Sequence, residues 1–249
     1  MFIIPQRNIF KVSNVFYELS SFVENLPQIF DDEGEVIYSG RNILKKFIIN
    51  GYSIVVKSYC APVWINRFVY RFFRKTKAQR SFEYAGLLRN LGIGSPAPIG
   101  YYVEQKGLFI GRTYFACLES ALRNEYRDMS KKKFENEDLI LKAVADVTAK
   151  LHENGILHTD YSTGNILFDE VDGQIAVEII DLNRIRFRKV NIYRGCRNFD
   201  RLPGTQHMLK VLSDEYAEKR NFDKDLCFKL ISKTHTSNNK FTNWWPESL

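Results

Sequence analysis

The stretch "HTDYSTGNILF", residues 158–168, decides how the chain is read. It sets His158, Asp160 and Asn165 in one short polar segment and then runs straight into apolar residues that read as a strand. Asp, Ser, Thr and Asn favour turns because their short side chains bond nearby backbone, and glycine because it tolerates positive φ. Any one of these residues therefore has a plain reading as loop. The segment gains meaning from what surrounds it. "GNILFDE" and "QIAVEIID" are short strand-like runs flanking Asp172 and Gly173, a two-residue turn that predicts a hairpin. Asp181 closes the second run, so Asn165 and Asp181 fall on opposite sides of one hairpin.

Toward the N-terminus the pattern is strand-rich. "EGEVIYSGRNILKKFIINGYSIVVK" (33–57) reads as two or three strands with Asn50 and Gly51 as a tight turn, and its last strand, "YSIVVK", ends at Lys57. In "KAQRSFEYAGLLRN" (77–90) Phe82, Ala85 and Leu88, with Leu91 just beyond, recur at helical spacing; Gly92 is placed to end that helix, and Glu83 lies within it. "GIGSPAPIGYYV" is a Pro/Gly-punctuated loop leading into a strand, and "TYFACLES" reads as another. Beyond it "NEDLILKAVADVTAKLHENGIL" predicts a long amphipathic helix with Leu139, Ala143, Val147, Lys150 and Leu151 on or near one face. The chain from "RFRKVNIYRGCRNFDRL" onward reads as helical but poorly patterned.

With 249 residues, 45% of them hydrophobic, the chain can bury a substantial core as one large domain or two small lobes. No run of about 20 uncharged apolar residues occurs, which excludes a membrane-spanning helix. The opening "MFIIPQRNIFK" lacks the basic flank and apolar length of a secretion signal, so a cytoplasmic location is expected. The four cysteines, Cys60, Cys117, Cys196 and Cys227, form no C-x-x-C pair and argue against a thiolate zinc site or a disulfide scaffold. A formal net charge of +7 favours an anionic partner without choosing among nucleic acid, a nucleotide and a phosphate-bearing surface.

A strand lysine, a helix glutamate, an aspartate and asparagine in a loop before a hairpin, and an aspartate after it follow the order of the phosphoryl-transfer template of protein kinases. That order predicts a shared cleft. The residue types suit the chemistry. A lysine such as Lys57 holds anionic phosphates in register if a carboxylate such as Glu83 fixes its flexible ammonium. Magnesium takes oxygen ligands, which Asn165 and Asp181 offer. Asp160 is expected to accept the acceptor hydroxyl's proton or to orient that hydroxyl toward the γ-phosphate. His158 reads as a brace for the loop rather than as a base.

"HTDYSTGNIL" with "IIDLN" resembles the catalytic and metal loops of the kinase superfamily, especially its compact bacterial and small-molecule branches. "KAQRSFEYAGLLRNLGIGSPAPIGYYVE" narrows this, because it looks like the lipopolysaccharide kinase family that phosphorylates Kdo or heptose in the lipid A core. The resemblance covers roughly residues 35 to 205. It implies an α+β, two-lobed protein-kinase-like fold: an N-terminal nucleotide-binding lobe, 1–117, of antiparallel sheet plus one helix, and a mainly helical C-terminal catalytic lobe, 118–249, hinged near Leu118 to Ala121. It implies ATP and Mg2+ as cofactors, with Lys57, Glu119 and Arg41 at the nucleotide, Asn165 and Asp181 at the metal, and Asp160, Lys57 and Glu83 as the catalytic set. The acceptor implied is a sugar hydroxyl of the lipopolysaccharide core.

The chain departs from the protein-kinase pattern at several points. No G-x-G-x-x-G precedes Lys57; "SGRNILKKF" has one glycine, Gly40, so phosphate contacts there are expected from backbone amides or from Arg41, Lys45 or Lys46. Thr159 stands where protein kinases usually carry arginine, the triplet Asp181-Leu182-Asn183 replaces D-F-G, and no A-P-E follows. The chain left beyond Asp181 is too short for the usual peptide-substrate lobe. Rival readings are a small RIO-like protein kinase, an aminoglycoside- or choline-type phosphotransferase, and a catalytically silent kinase-like binding module.

"WINRFVYRFFRKTKAQR", residues 64–80, interleaves arginines and lysines with aromatic rings and has no acid. Three readings stand for it: packing within the first lobe, peripheral contact with the inner face of the inner membrane or a phosphorylated glycolipid, and stacking on single-stranded nucleic acid, the last being the weakest. Trp244 and Trp245 in the C-terminal tail read as a cap on the second lobe or a lipid contact.

Overall fold

The computed structural model of the chain describes residues 9–60, 74–106 and 109–237. The basic and aromatic stretch at 64–80 falls largely outside these residues, and the tail with its two tryptophans falls wholly outside them. Two compact units emerge. The first comprises the described residues up to Leu91 together with Pro96–Ser120; the second comprises Gly92–Ser95 and the described residues from Ala121 onward.

In the first unit β1 (Ile9–Val12), β2 (Glu35–Ser39), β3 (Asn42–Ile49), β4 (Tyr52–Tyr59), β5 (Pro98–Lys106) and β6 (Phe109–Leu118) form one antiparallel sheet in the order β1-β5-β6-β4-β3-β2. The turn expected at Asn50-Gly51 forms: both residues take positive φ, 52° and 81°, and Ile49 lies opposite Tyr52 across β3 and β4. This mirror-image turn has the twist that adjoining strands need, which explains the residue pair. Lys57 sits inside β4 rather than at its end, opposite Leu44 of β3 and Phe115 of β6.

Among the described residues two α-helices accompany this sheet, the second of them, α2, being the one expected. α1 (Ser20–Ile29) carries Pro27 within it, a residue that removes a helical hydrogen bond and argues against a helix in the bare sequence. Tertiary packing overrides that preference: Leu19, Val23 and Leu26 are fully buried against Ile54, Val56, Ile99 and Tyr114 of the sheet. Lys45 supports the turn that follows. It is only 7% exposed, its Nζ donates to the carbonyls of Asp31 and Glu33 at 3.1 and 2.9 Å, and it lies over the Phe30 ring. The expectation that Lys45 contacts phosphate is corrected accordingly, since its ammonium already satisfies the backbone beyond α1.

α2 (Lys77–Asn90) spans the residues expected. Thr76 and Gln79 close a reciprocal capping box at its start, and Gly92, at φ 67°, follows its end. Ala78, Ser81, Ala85 and Leu88 are buried, and Phe82 meets Tyr101 edge to face.

In the second unit α3 (Glu137–Glu153) is the long helix foreseen, but its buried face is rotated from the expected one. Ile140, Leu141, Val144, Ala145, Thr148, Ala149, Leu151 and His152 are buried, whereas Leu139 is 58% exposed. Periodicity misplaced the stripe because two polar residues belong to it: Thr148 Oγ1 bonds the Val144 carbonyl (2.6 Å) and the Tyr161 hydroxyl (2.7 Å), so its polar atom is satisfied inside. β7 (Asn124–Glu125), β8 (Ile156–His158), β9 (Ile166–Val171), β10 (Gln174–Ile179) and β11 (Ile185–Phe187) form the sheets β10-β9-β7 and β11-β8. The Asp172-Gly173 turn takes φ 52° and 74°, joining β9 to β10 as expected. α4 (Ile192–Arg197), α5 (Gln206–Arg220) and α6 (Lys224–Ser237) complete the unit.

Gly92–Ser95 explains part of the "LGIGSPAP" signature. The Ile179 N–H donates to the Gly94 carbonyl at 2.9 Å, so this short segment lies along β10. No described helix is long and apolar enough to cross a membrane.

Candidate active site

The loop after β8 is held by a histidine that spends both ring nitrogens on structure. His158 is fully buried; its Nδ1 accepts the Asp160 backbone N–H (3.2 Å) and its Nε2–H donates to the Ile180 carbonyl (3.2 Å). Only the neutral Nε2–H tautomer meets both partners. Burial lowers the imidazole pKa, against the backbone bonds and the nearby Asp181 and Asp160 charges that raise it. His158 therefore braces the loop.

The other loop residues are tied in the same way. The Asn165 side-chain amide donates to the Asp160 carbonyl at 2.8 Å, and the Asn165 carbonyl accepts the Ile180 N–H at 3.0 Å. Asn165 thereby bridges the loop and the strand leading to Asp181, and its Oδ1 is the side-chain atom left to face a cation. Asp181 sits at φ 57°, ψ 47°, a left-handed conformation that Asp tolerates better than most residues, and its Oδ1 accepts from the Asn183 amide at 2.6 Å. Thr159 joins the two loops: its hydroxyl donates to the Arg184 carbonyl at 2.8 Å. Tyr161 anchors the loop to α3 through Thr148.

Asp160 has partners from beyond the hairpin. Its Oδ1 accepts from Arg201 and its Oδ2 lies 3.3 Å from Arg184, leaving the side chain 18% exposed. Arg201 is 41 residues away along the chain, and no motif marks it. The two guanidiniums fix the carboxylate's direction.

Behind the loop runs a buried chain of bonds. The Asn198 amide donates to the His158 carbonyl (3.0 Å), the Asn198 Oδ1 accepts from His152 Nε2 (2.9 Å), and His152 Nδ1 accepts from the Tyr216 hydroxyl (2.8 Å). Burial pushes the His152 pKa down to about 4, so the ring stays neutral and the donor order is fixed. Sequence reading missed His152, Asn198 and Tyr216 because each looks like an ordinary helix residue until the helices pack.

In the first unit, Glu83 of α2 receives Lys75: Nζ lies 2.6 Å from Oε2. Lys57 rests its ammonium over the Tyr59 ring, 5.4 Å from the centroid. Glu119 follows β6; its Oε2 accepts from Lys46 Nζ and Ser53 Oγ, both at 2.7 Å, and its N–H donates to the Ser53 carbonyl at 2.8 Å. The Lys46 ammonium and then the Ser53 hydroxyl hold the Glu119 carboxyl below its ordinary pKa. Lys46 is thus engaged by a carboxylate, while Arg41 is exposed in the tight turn where the Gly40 N–H meets the Asn42 carbonyl.

Comparison with known proteins adds a family to this geometry. Residues 45–219 match the family described as lipopolysaccharide kinase (Kdo/WaaP). A 3-deoxy-D-manno-octulosonic acid kinase of Vibrio vulnificus strain YJ016 is 36% identical over 118 residues, 45% of this chain and 47% of the relative. A protein of the same description from Vibrio cholerae serotype O1 is 27% identical over 162 residues, 64% of this chain and 59% of the relative. The chain spans about half the length of the curated relatives it matches. Among solved structures, WaaP in complex with acyl carrier protein superposes with a TM-score of 0.65 at 12% identity, over 96% of this chain and 100% of that one. The Rio2 kinase of Chaetomium thermophilum, in an ADP/Mg2+-phosphoaspartate complex, gives 0.52 at 13% identity, over 94% of this chain and 74% of that one. These likenesses establish the α+β protein-kinase-like fold.

Proposed function

The chain belongs to the lipopolysaccharide kinase (Kdo/WaaP) family, and from that membership we propose that it is an ATP-dependent kinase transferring the γ-phosphate to a sugar hydroxyl, Kdo or heptose, of the lipopolysaccharide core. The observation that carries the reading is the bonded array in the second unit, in which Asn165 joins the Asp160 loop to the strand preceding Asp181. Three oxygen-bearing side chains are thereby held on one rigid frame, as phosphoryl transfer by positioning requires.

In this reading Asp160 orients the acceptor hydroxyl and takes its proton, while Arg184 and Arg201 hold the carboxylate in one direction. The donor set fits magnesium: Asn165 Oδ1 and the Asp181 carboxylate are hard oxygen ligands. Bound there, the metal would neutralise charge on the nucleotide's phosphates. In the same reading Lys57 is the cation expected to hold nucleotide phosphates, with Arg41, exposed near the start of β3, as a further one. Glu83 would act on Lys57 by exchanging its Lys75 partner, a surface pair weak enough to be given up. Glu119, engaged by Lys46 and Ser53, would shape the nucleotide site rather than contact the nucleotide through its carboxylate. The reaction belongs on the cytoplasmic side of the inner membrane, where ATP and the glycolipid acceptor meet.

The test is incubation of the purified protein with γ-labelled ATP and magnesium, separately with deacylated lipopolysaccharide core, small aminoglycoside or choline-type alcohols, and generic protein. Label enters the core alone. Label in a small alcohol or in protein overturns the choice of acceptor, and no transfer to any acceptor leaves the silent-module reading in place.

A further inference from the structure

Between Arg184 and Arg201 the second unit carries seven cations and a single acid, Asp200. Some of these charges have structural work. Arg184 and Arg201 reach Asp160, and Arg194 donates to the Lys189 carbonyl. Arg186, Arg188 and Lys189 differ: all three are exposed, and their side chains make no hydrogen bond or ion pair with another described residue. They follow one another along the end of β11 and the loop beyond it, around Phe187, which is 53% exposed; Tyr193, at 62%, stands on the next helix, α4. Three adjacent like charges repel one another and so add nothing to the stability of the fold.

We infer that this surface, Arg186 to Lys189 with Tyr193, lies against the headgroups of an anionic phospholipid bilayer. The inference rests on the glycolipid acceptor proposed above. The charge sign matches such a surface, and exposed rings among cations suit the headgroup layer. Position supplies the independent argument. β11 pairs with β8, Arg186 opposite Leu157 and Ile185 opposite His158, two residues before Asp160. Asp160 is bonded to Arg184, two residues before Arg186. An acceptor sugar anchored in lipid must bring its hydroxyl to Asp160 while its acyl chains stay in the bilayer, so the surface next to Asp160 is the one that meets the membrane. A single-stranded nucleic acid would use the same charges and rings, but it gives no reason for them to border Asp160.

The experiment is co-sedimentation of the full chain with vesicles of phosphatidylcholine, with and without phosphatidylglycerol. The protein is expected to sediment only with the anionic vesicles and to be released by salt. The triple variant R186E/R188E/K189E is expected to partition about a hundredfold more weakly, given the contribution of each basic residue near an anionic surface. A control with the same charge change at exposed lysines elsewhere, K133E/K142E/K229E, is expected to stay within about twofold of the parent. Equal loss in both variants reduces the effect to net charge and overturns the proposal, as does unchanged binding by the first. Tighter binding of a uridine oligonucleotide than of vesicles, lost in the first variant, reassigns the surface to nucleic acid and likewise overturns it. Label transfer to soluble core is scored separately. Vesicle binding without transfer refutes the kinase reading and leaves the surface standing, whereas transfer without vesicle binding refutes the surface alone.

Discussion

Replacing Asp160 by asparagine lowers kcat by about two to four orders of magnitude, the usual contribution of a positioned general base. The amide keeps the carboxylate's shape but cannot take a proton. The backbone anchors of the loop do not involve this side chain: Asp160 N–H goes to His158 and its carbonyl accepts from Asn165. Folding is therefore preserved. The lost ion pairs are to Arg184 and Arg201, whose side chains are 50% and 57% exposed, so the cost in stability stays near 1 kcal/mol. The KM for the nucleotide is expected to change little, because in the proposed reaction Asp160 serves the acceptor. Steady-state kinetics with a thermal melt decide the matter, and undiminished kcat would remove Asp160 from the chemistry.

Gly94→Ala should be the most damaging small substitution in the second unit, at about 3 kcal/mol. A Cβ at Gly94 would overlap the Val177 carbonyl oxygen and come within 3.0 Å of its carbon, and both atoms belong to backbone, which cannot rotate away. Relief requires lifting Gly92–Ser95 off β10, which sacrifices the bond from Ile179 to Gly94. Gly86 provides the contrast. It lies inside α2, a Cβ there meets nothing within 4 Å, and Gly86→Ala is expected to stabilise by about 0.5–1 kcal/mol through helix propensity alone. Chemical denaturation of both variants reads the difference. A Gly94→Ala protein as stable as the parent would mean that the segment does not pack on β10.

Local chemistry explains what was legible in the sequence. Asn50-Gly51 and Asp172-Gly173 announced their hairpins because each pair can take positive φ twice in succession, and Gly92 announced the end of α2 for a related reason. The polar loop was visible as a pattern because His158, Asp160 and Asn165 lie close together along the chain. Long-range packing explains what was not. α1 hid behind Pro27, and its reason for being helical is a sheet whose strands lie elsewhere in the sequence. The buried face of α3 includes Thr148 and His152, polar residues made apolar in effect by Tyr161, Tyr216 and Asn198. Arg201 and Arg184 reach Asp160 from beyond the hairpin, a meeting that no spacing rule encodes. Lys45 and Lys46 looked like a phosphate site because they are adjacent and basic, yet neighbours on a strand face opposite sides: one ends in α1's trailing carbonyls and the other on Glu119.

Phosphorylation of a core sugar of lipopolysaccharide, as proposed, changes the mass of that core by one phosphate. The most direct measurement is the mass of the lipid A core from cells lacking the protein, from cells with the parent chain restored, and from cells carrying Asp160→Asn. The core is expected to be lighter by one phosphate in the first and third, and restored in the second. A core of identical mass in all three would contradict it.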